Sequence, residues 1–138
     1  MALQVKELMV GDWVATEYDG NIKVSAVLTG TVYNNKDIGF NNGEIYPIPL
    51  TEEILKANGA YDGRDGRSII IDCYYIGAKD VVSLCEYKGG FEISVLTCVD
   101  MTGEPNEVYD LPSVKYVHEL QRILRCCGLW DLADNFKL

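Results

Sequence analysis

Apolar and polar residues alternate along much of this chain, and the spacing changes to a helical one in two places. Gly11-Asp12 turns the chain into a strand begun by Trp13 and Val14. Asp19-Gly20-Asn21 carries the residue types of a tight hairpin turn. Beyond it Ile22, Val24, Ala26 and Leu28 recur at period two, which predicts one return strand from Ile22 to Tyr33. The polar run Asn34-Asn35-Lys36 reads as a loop. Asn41-Asn42-Gly43 predicts a second hairpin turn, joining Ile38-Gly39-Phe40 to Glu44-Ile45-Tyr46. The front of the chain is therefore expected to be an antiparallel meander, short enough to curl in the manner of an SH3-type barrel.

Pro47-Ile48-Pro49-Leu50 has two residues without an N–H and reads as an extended connector. Thr51 stands where a helix N-cap belongs, Glu52 and Glu53 suit the positive end of the helix dipole, and Gly59 suits its end. A helix of about two turns is expected there. Asp62-Gly63-Arg64-Asp65-Gly66-Arg67 is polar and glycine-rich, the composition of a connector or a long hairpin tip. Three strand-like runs follow: Ser68 to Ile76, Asp80 to Tyr87 and Phe91 to Val99, the last two joined by Lys88-Gly89-Gly90. Glu107 to Leu111 reads as a short edge strand after a turn at Thr102 to Asn106.

The second helical spacing is the longer one. With Ser113 as N-cap, Val117, Leu120, Leu124 and Cys127 fall on one stripe flanked by Tyr116 and Ile123. Lys115, Glu119, Arg122 and Arg125 are expected on the opposite, wet side, and Gly128 ends the helix. Such a stripe needs a sheet to cover it. The fold class expected is α+β: a front meander with a short helix over residues 1–60, then a second antiparallel sheet packed by the C-terminal helix over residues 61–138, the two forming one compact unit. The tail carries Leu129, Trp130, Leu132, Ala133 and Phe136, so it is expected to pack down.

Composition narrows the function. The chain has 138 residues, 48% of them hydrophobic, which suits a globular core and excludes disorder. No run of about 18 apolar residues occurs, so no membrane span is expected. Met1 to Glu7 lacks the basic start and apolar core of a secretory leader. Net charge is −9, spread over both halves: four basic and eight acidic side chains in residues 1–60, eight and thirteen in residues 61–138. Nucleic-acid binding needs clustered Lys and Arg, and none is present. An acidic surface suits a basic protein partner, or simply keeps the chain dispersed. Five cysteines without framework spacing (Cys73, Cys85, Cys98, Cys126, Cys127) suit reduced thiols and a cytoplasmic setting.

Candidate chemistry is sparse. The one histidine, His118, lies on the C-terminal helix with Arg122 one turn on. It could serve as a general base or a metal ligand, but the sequence sets no second ligand at CxxC or HxxxH spacing near it. A helix histidine held for packing is the ordinary alternative. There is no GxGxxG and no GxxxxGK[ST], and no cysteine sits in a nucleophile turn. Asp100, Glu104, Glu107 and Asp110 lack the spacing of a calcium loop. No catalytic residue, no metal and no cofactor is therefore expected. Nine tyrosines and two tryptophans suit an interface as well as a β-rich core.

Three blocks occur in order: Glu7-Leu8-x-x-Gly11-Asp12-Trp13-Val14, Ile48-Pro49-Leu50-Thr51-Glu52-Glu53-Ile54-Leu55, and Lys115-Tyr116-Val117-His118-Glu119-Leu120-Gln121. Together they resemble an uncharacterised family of small proteins from gut Bacteroidetes genomes, their phages and mobile elements. The resemblance implies a cytoplasmic protein of phage or mobile-element origin and carries over no catalytic residue. The function expected is a non-enzymatic interaction module that binds a protein or itself, in one version an acidic modulator of a host protein. The alternative is a small ligand-binding protein or enzyme with a pocket near His118. Interaction or pocket residues expected are His118, Tyr116 and Trp13.

Overall fold

The computed structural model describes residues 3–62, 73–76, 82–87, 90–99, 105–126 and 128–138. The chain divides into two compact units, Met1–Pro49 with Tyr116–Asn135, and Leu50–Lys115 with Phe136–Leu138. The architecture is α+β, with antiparallel sheets and short helices.

In the first unit a 3-10 turn, Val5–Glu7, precedes six strands: β1 (Trp13–Thr16), β2 (Asn21–Lys23), β3 (Ala26–Leu28), β4 (Thr31–Tyr33), β5 (Gly39–Asn41) and β6 (Ile45–Tyr46). They form two three-stranded sheets, in the orders β2-β1-β6 and β3-β4-β5. The turn between β1 and β2 is closed by Thr16, whose N–H and Oγ1 both donate to the Gly20 carbonyl at 2.8 Å.

The return strand expected over Ile22 to Tyr33 is three strands instead. The Val24 N–H donates to the Asp12 carbonyl in the first sheet, while the Ser25 N–H donates to the Tyr33 carbonyl in the second, each at 2.8 Å. The ladder changes sheet between these neighbours. Leu28 then pairs with Thr31 across a two-residue turn at Gly30, whose φ of 71° glycine tolerates freely. The turn at Asn41 to Gly43 also exists, with the Glu44 N–H on the Asn41 carbonyl at 3.1 Å. It is not a hairpin turn, because β5 pairs with β4 and β6 with β1. It passes the chain from one sheet to the other. Leu3, Val5, Leu8, Val14, Ile22, Val24, Val32, Phe40 and Ile45 from these segments share one buried cluster. Each fully buried aliphatic side chain there contributes about 1.5–3 kcal/mol.

The helices of this unit are α2 (Val117–Cys126) and α3 (Trp130–Asp134), the second and third α-helices among the described residues. The expected N-cap, Ser113, lies in a strand, and the helix starts four residues later. The backbone before it is committed to sheet-type bonds: Val114 pairs with Phe91, and the Val117 N–H donates to the Ile48 carbonyl at 2.9 Å. The Glu119 carboxylate reaches back to the Tyr116 N–H at 3.1 Å, half of a capping box. At the other end the Leu129 N–H bonds the Leu124 carbonyl and the Gly128 N–H that of Arg125, a Schellman closure with Gly128 at φ 80°.

The second unit holds α1 (Glu52–Ala57), capped by Thr51, whose Oγ1 accepts from the Ile54 N–H at 3.3 Å. Strands β7 (Tyr61–Asp62), β8 (Cys73–Ile76), β9 (Val82–Tyr87), β10 (Gly90–Val99) and β11 (Pro105–Val114) form a five-stranded antiparallel sheet in the order β11-β10-β9-β8-β7. The edge strand expected at Glu107 to Leu111 is the full ten residues of β11, and its edge position tolerates Pro105 and Pro112. Asn58 at the end of α1 holds the tail, donating to the Lys137 carbonyl at 2.7 Å and accepting from the Lys137 N–H at 2.6 Å, with Phe136 buried. The dividing lines at 49/50 and 115/116 differ from the 60/61 boundary expected, because the chain returns at Tyr116 to pair with Pro49 and its helix rejoins the front strands. The readings at residues 63–67, 88–89 and 101–104 and at Cys127 lie outside the described residues.

Candidate functional site

Residues 118, 121 and 125 of α2 follow the apolar residues 117, 120 and 124 by one position each, about 100° around the helix. Both rows are buried, so the helix turns a polar ridge as well as an apolar one inward. Arg125, expected on the wet face, is the correction that matters most. Its side chain is 3% exposed, and so is that of Asp12, whose Oδ1 lies 2.6 Å from Arg125 Nη1. The same guanidinium donates through Nη2 to the Val10 carbonyl at 3.3 Å and through Nε to Asp134 Oδ1 at 3.4 Å. The other oxygen of Asp12 accepts from the Met9 N–H at 2.9 Å, and the Asp12 N–H donates to the Met9 carbonyl at 3.1 Å. One buried ion pair thus clamps the Met9–Asp12 turn, with Gly11 at φ 96° inside it.

Gln121 completes the clamp. Its Oε1 accepts from the Trp13 N–H at 3.0 Å, and its Nε2 donates to the Gly11 carbonyl at 2.8 Å and the Ala133 carbonyl at 3.0 Å. Every hydrogen bond this amide makes goes to backbone, which ties the start of β1 to α2 and α3. Arg125 and Gln121 are framework groups, and both hold the segment that carries Met9, Val10 and Trp13.

That segment borders a groove of about 1080 Å³, lined wholly by residues of the first unit. Exposed apolar side chains converge on it: Met9, Val10, Val27, Ile38 and Trp130 all line it and all stand in solvent, Val10 at 57% and Trp130 at 51%. Trp13 lines it too, half-buried. Its charged lining groups are Asp19, Asp134, Lys23 and Lys36, and the Lys23 ammonium is spent on the Asp134 carbonyl.

His118 and Tyr116 are not among the lining residues. His118 is 4% exposed, its ring is stacked against that of Tyr116 with centroids 6.2 Å apart, and its Nδ1 has no hydrogen-bond partner. Burial lowers its pKa, Arg122 lowers it further, and the carboxylates of Glu119, Asp12 and Glu7 oppose this in part. A neutral imidazole without a bonded carboxylate lacks the orienting partner of an acid–base pair. Among the described residues no three His, Cys, Asp or Glu groups are placed to hold a metal ion. No helix there is long and apolar enough to cross a membrane.

Of the three expected residues, the groove gathers Trp13 alone. The buried roles of Gln121 and Arg125 escape sequence reasoning, since a buried polar ridge and a solvated helix face share one spacing, and Trp130 is marked there only as one of the aromatic residues that suit an interface. No protein-family model, curated protein or solved structure matches this chain.

Proposed function

We propose that this chain is a non-enzymatic protein-interaction module, whose contact surface is the groove bordered by Met9, Val10 and Trp130. The observation that carries the reading is the convergence of exposed apolar side chains on one concavity. Scattered surface hydrophobes are ordinary, whereas a contiguous exposed apolar patch marks a binding surface. The partner is a basic protein, because the chain carries a net charge of −9 and a partner of opposite sign is attracted from a distance. A chain so acidic repels its own copies, which places self-association behind a foreign partner. The family resemblance extends the reading to an acidic modulator of a host protein, acting in the cytoplasm without nucleic acid or cofactor. The free, exposed thiol of Cys126 suits that compartment.

The test uses immobilised full chain and host lysate at low and high salt, beside Val10→Asp and Trp130→Ala. Both positions are exposed, so both variants should fold. A protein captured by the wild type, released by salt and lost in both variants supports the groove. Capture that persists in both variants removes the groove from the reading, and capture indifferent to salt removes the basic partner.

A further inference from the structure

We propose that the groove's occupant is anchored by an arginine or lysine side chain, laid on the Trp130 indole and held by the carboxylates of Asp134 and Asp19. The inference rests on the groove being the contact surface. Trp130 and Asp134 stand four apart on α3, so their side chains share one face of that helix, and both line the groove. An exposed indole attracts a cation through its ring face, and a carboxylate beside it supplies the counter-charge.

Asp134 already receives two of the chain's own cations. Arg125 Nε lies on Asp134 Oδ1, and the Lys23 ammonium donates to the Asp134 carbonyl. Asp134 still has acceptor capacity, since its side chain is half exposed and among the described residues no donor reaches its Oδ2. Asp19 is held through its backbone, its N–H donating to Thr16 Oγ1 at 3.1 Å, while its carboxylate bonds nothing among the described residues. Against these two carboxylates the groove lining sets two ammoniums, Lys36 and Lys23, the charge of the latter not cancelled by its bond to a carbonyl, and Asp37 follows Lys36 in the chain. The exposed acids Glu17 and Asp131 flank Asp19 and Trp130. The lining alone is balanced, and the flanking Glu17, Asp37 and Asp131 tip its surroundings acidic, while its apolar part accepts the aliphatic stem that a lysine or arginine carries.

The chain has two tryptophans and both line the groove, so intrinsic fluorescence reports an occupant directly. Short peptides alternating leucine with arginine, with serine or with glutamate serve as probes. The leucine–arginine peptide should shift the emission saturably, and the shift should weaken with salt. Trp130→Leu keeps apolar area but loses the ring face, and should weaken that peptide about two- to fivefold. Asp19→Asn should weaken it and flatten the salt dependence. Equal binding of the serine and arginine peptides overturns the cationic anchor and leaves the groove reading standing. Preference for the glutamate peptide, or no shift with any peptide, overturns the anchor as well. The groove reading fails separately, if a lysate partner is retained by both Val10→Asp and Trp130→Ala.

Discussion

Arg125 on α2 and Asp12 at the mouth of β1 meet at 2.6 Å with both side chains 3% exposed, across 113 positions of sequence. Breaking a buried pair strands a charge, which costs about 3–5 kcal/mol. Arg125→Met should therefore remove a large fraction of the first unit's stability, since a domain's whole stability is about 5–15 kcal/mol. The double variant Arg125→Met with Asp12→Ala should be less destabilised than the sum of the singles. Urea titration of the four proteins measures the coupling, and strict additivity would show that the pair is not the clamp.

Gln121 makes three bonds to backbone groups of two separate segments, the Gly11–Trp13 turn and α3. Leucine at 121 fits the volume and removes the bonds that the amide makes to the Trp13 N–H and the Gly11 and Ala133 carbonyls. A buried polar group that loses its partner costs about 1–3 kcal/mol, so Gln121→Leu should cost several kcal/mol in denaturation. Gln121→Glu should also be costly near neutral pH, because a carboxylate in place of Nε2 faces two carbonyl oxygens with no proton to give. If Gln121→Leu is as stable as the wild type, the amide does not hold the Met9–Trp13 segment.

Gly11→Ala tests the turn that these two side chains hold. A Cβ at Gly11 would lie 3.0 Å from Arg125 Nη2 and 3.1 Å from Asp134 Oδ1, and the φ of 96° is itself unfavourable for alanine. The two effects together should cost at least about 1–3 kcal/mol, by the usual scale of such backbone strain. Thermal melts of Gly11→Ala beside Gly20→Ala separate them, because a Cβ at Gly20 meets nothing within 4 Å at a φ of 68°. Equal losses at the two positions would show that crowding against Arg125 is not felt.

The elements whose signals are local were legible in the sequence. Thr51 caps α1, Gly128 closes α2, and Gly20 turns β1 into β2, as their residue types require. What failed was non-local. Period two continues through Val24 and Ser25 although their hydrogen bonds go to different sheets, because alternation records burial and not the strand alongside. Asn41 to Gly43 turns the chain in either case, and nothing nearby says whether the two arms pair. Arg125 has the residue type of a solvated helix end. Its burial depends on Asp12, 113 positions away, and no spacing within α2 reveals such a partner. The candidate site was legible only at Trp13, since the groove is assembled from loops and strand ends far apart in sequence.

His118 gives the first unit an acid sensitivity of predictable sign. Burial is the largest cause of its lowered pKa, opposed in part by Glu119, Asp12 and Glu7 and assisted by Arg122. In the unfolded chain the group titrates near its ordinary value of 6.5, and in the folded chain it titrates below that. Between those two values the unfolded chain binds the extra proton, so folding stability falls as pH falls through that window. The contribution is fully present above pH 6.5 and fully lost once pH lies below the folded-state value. Nδ1 has no partner to share a proton with, so protonation must bring water to a side chain that is buried. His118→Gln removes the titration and keeps a polar side chain. Its stability should run parallel to the wild type above pH 7 and fall less steeply as pH drops below 6.5, the remaining slope belonging to carboxylates common to both proteins. Urea midpoints across that range measure the difference. Curves that stay parallel throughout would mean that His118 titrates alike in the folded and unfolded chains, and that its burial carries no linkage to pH.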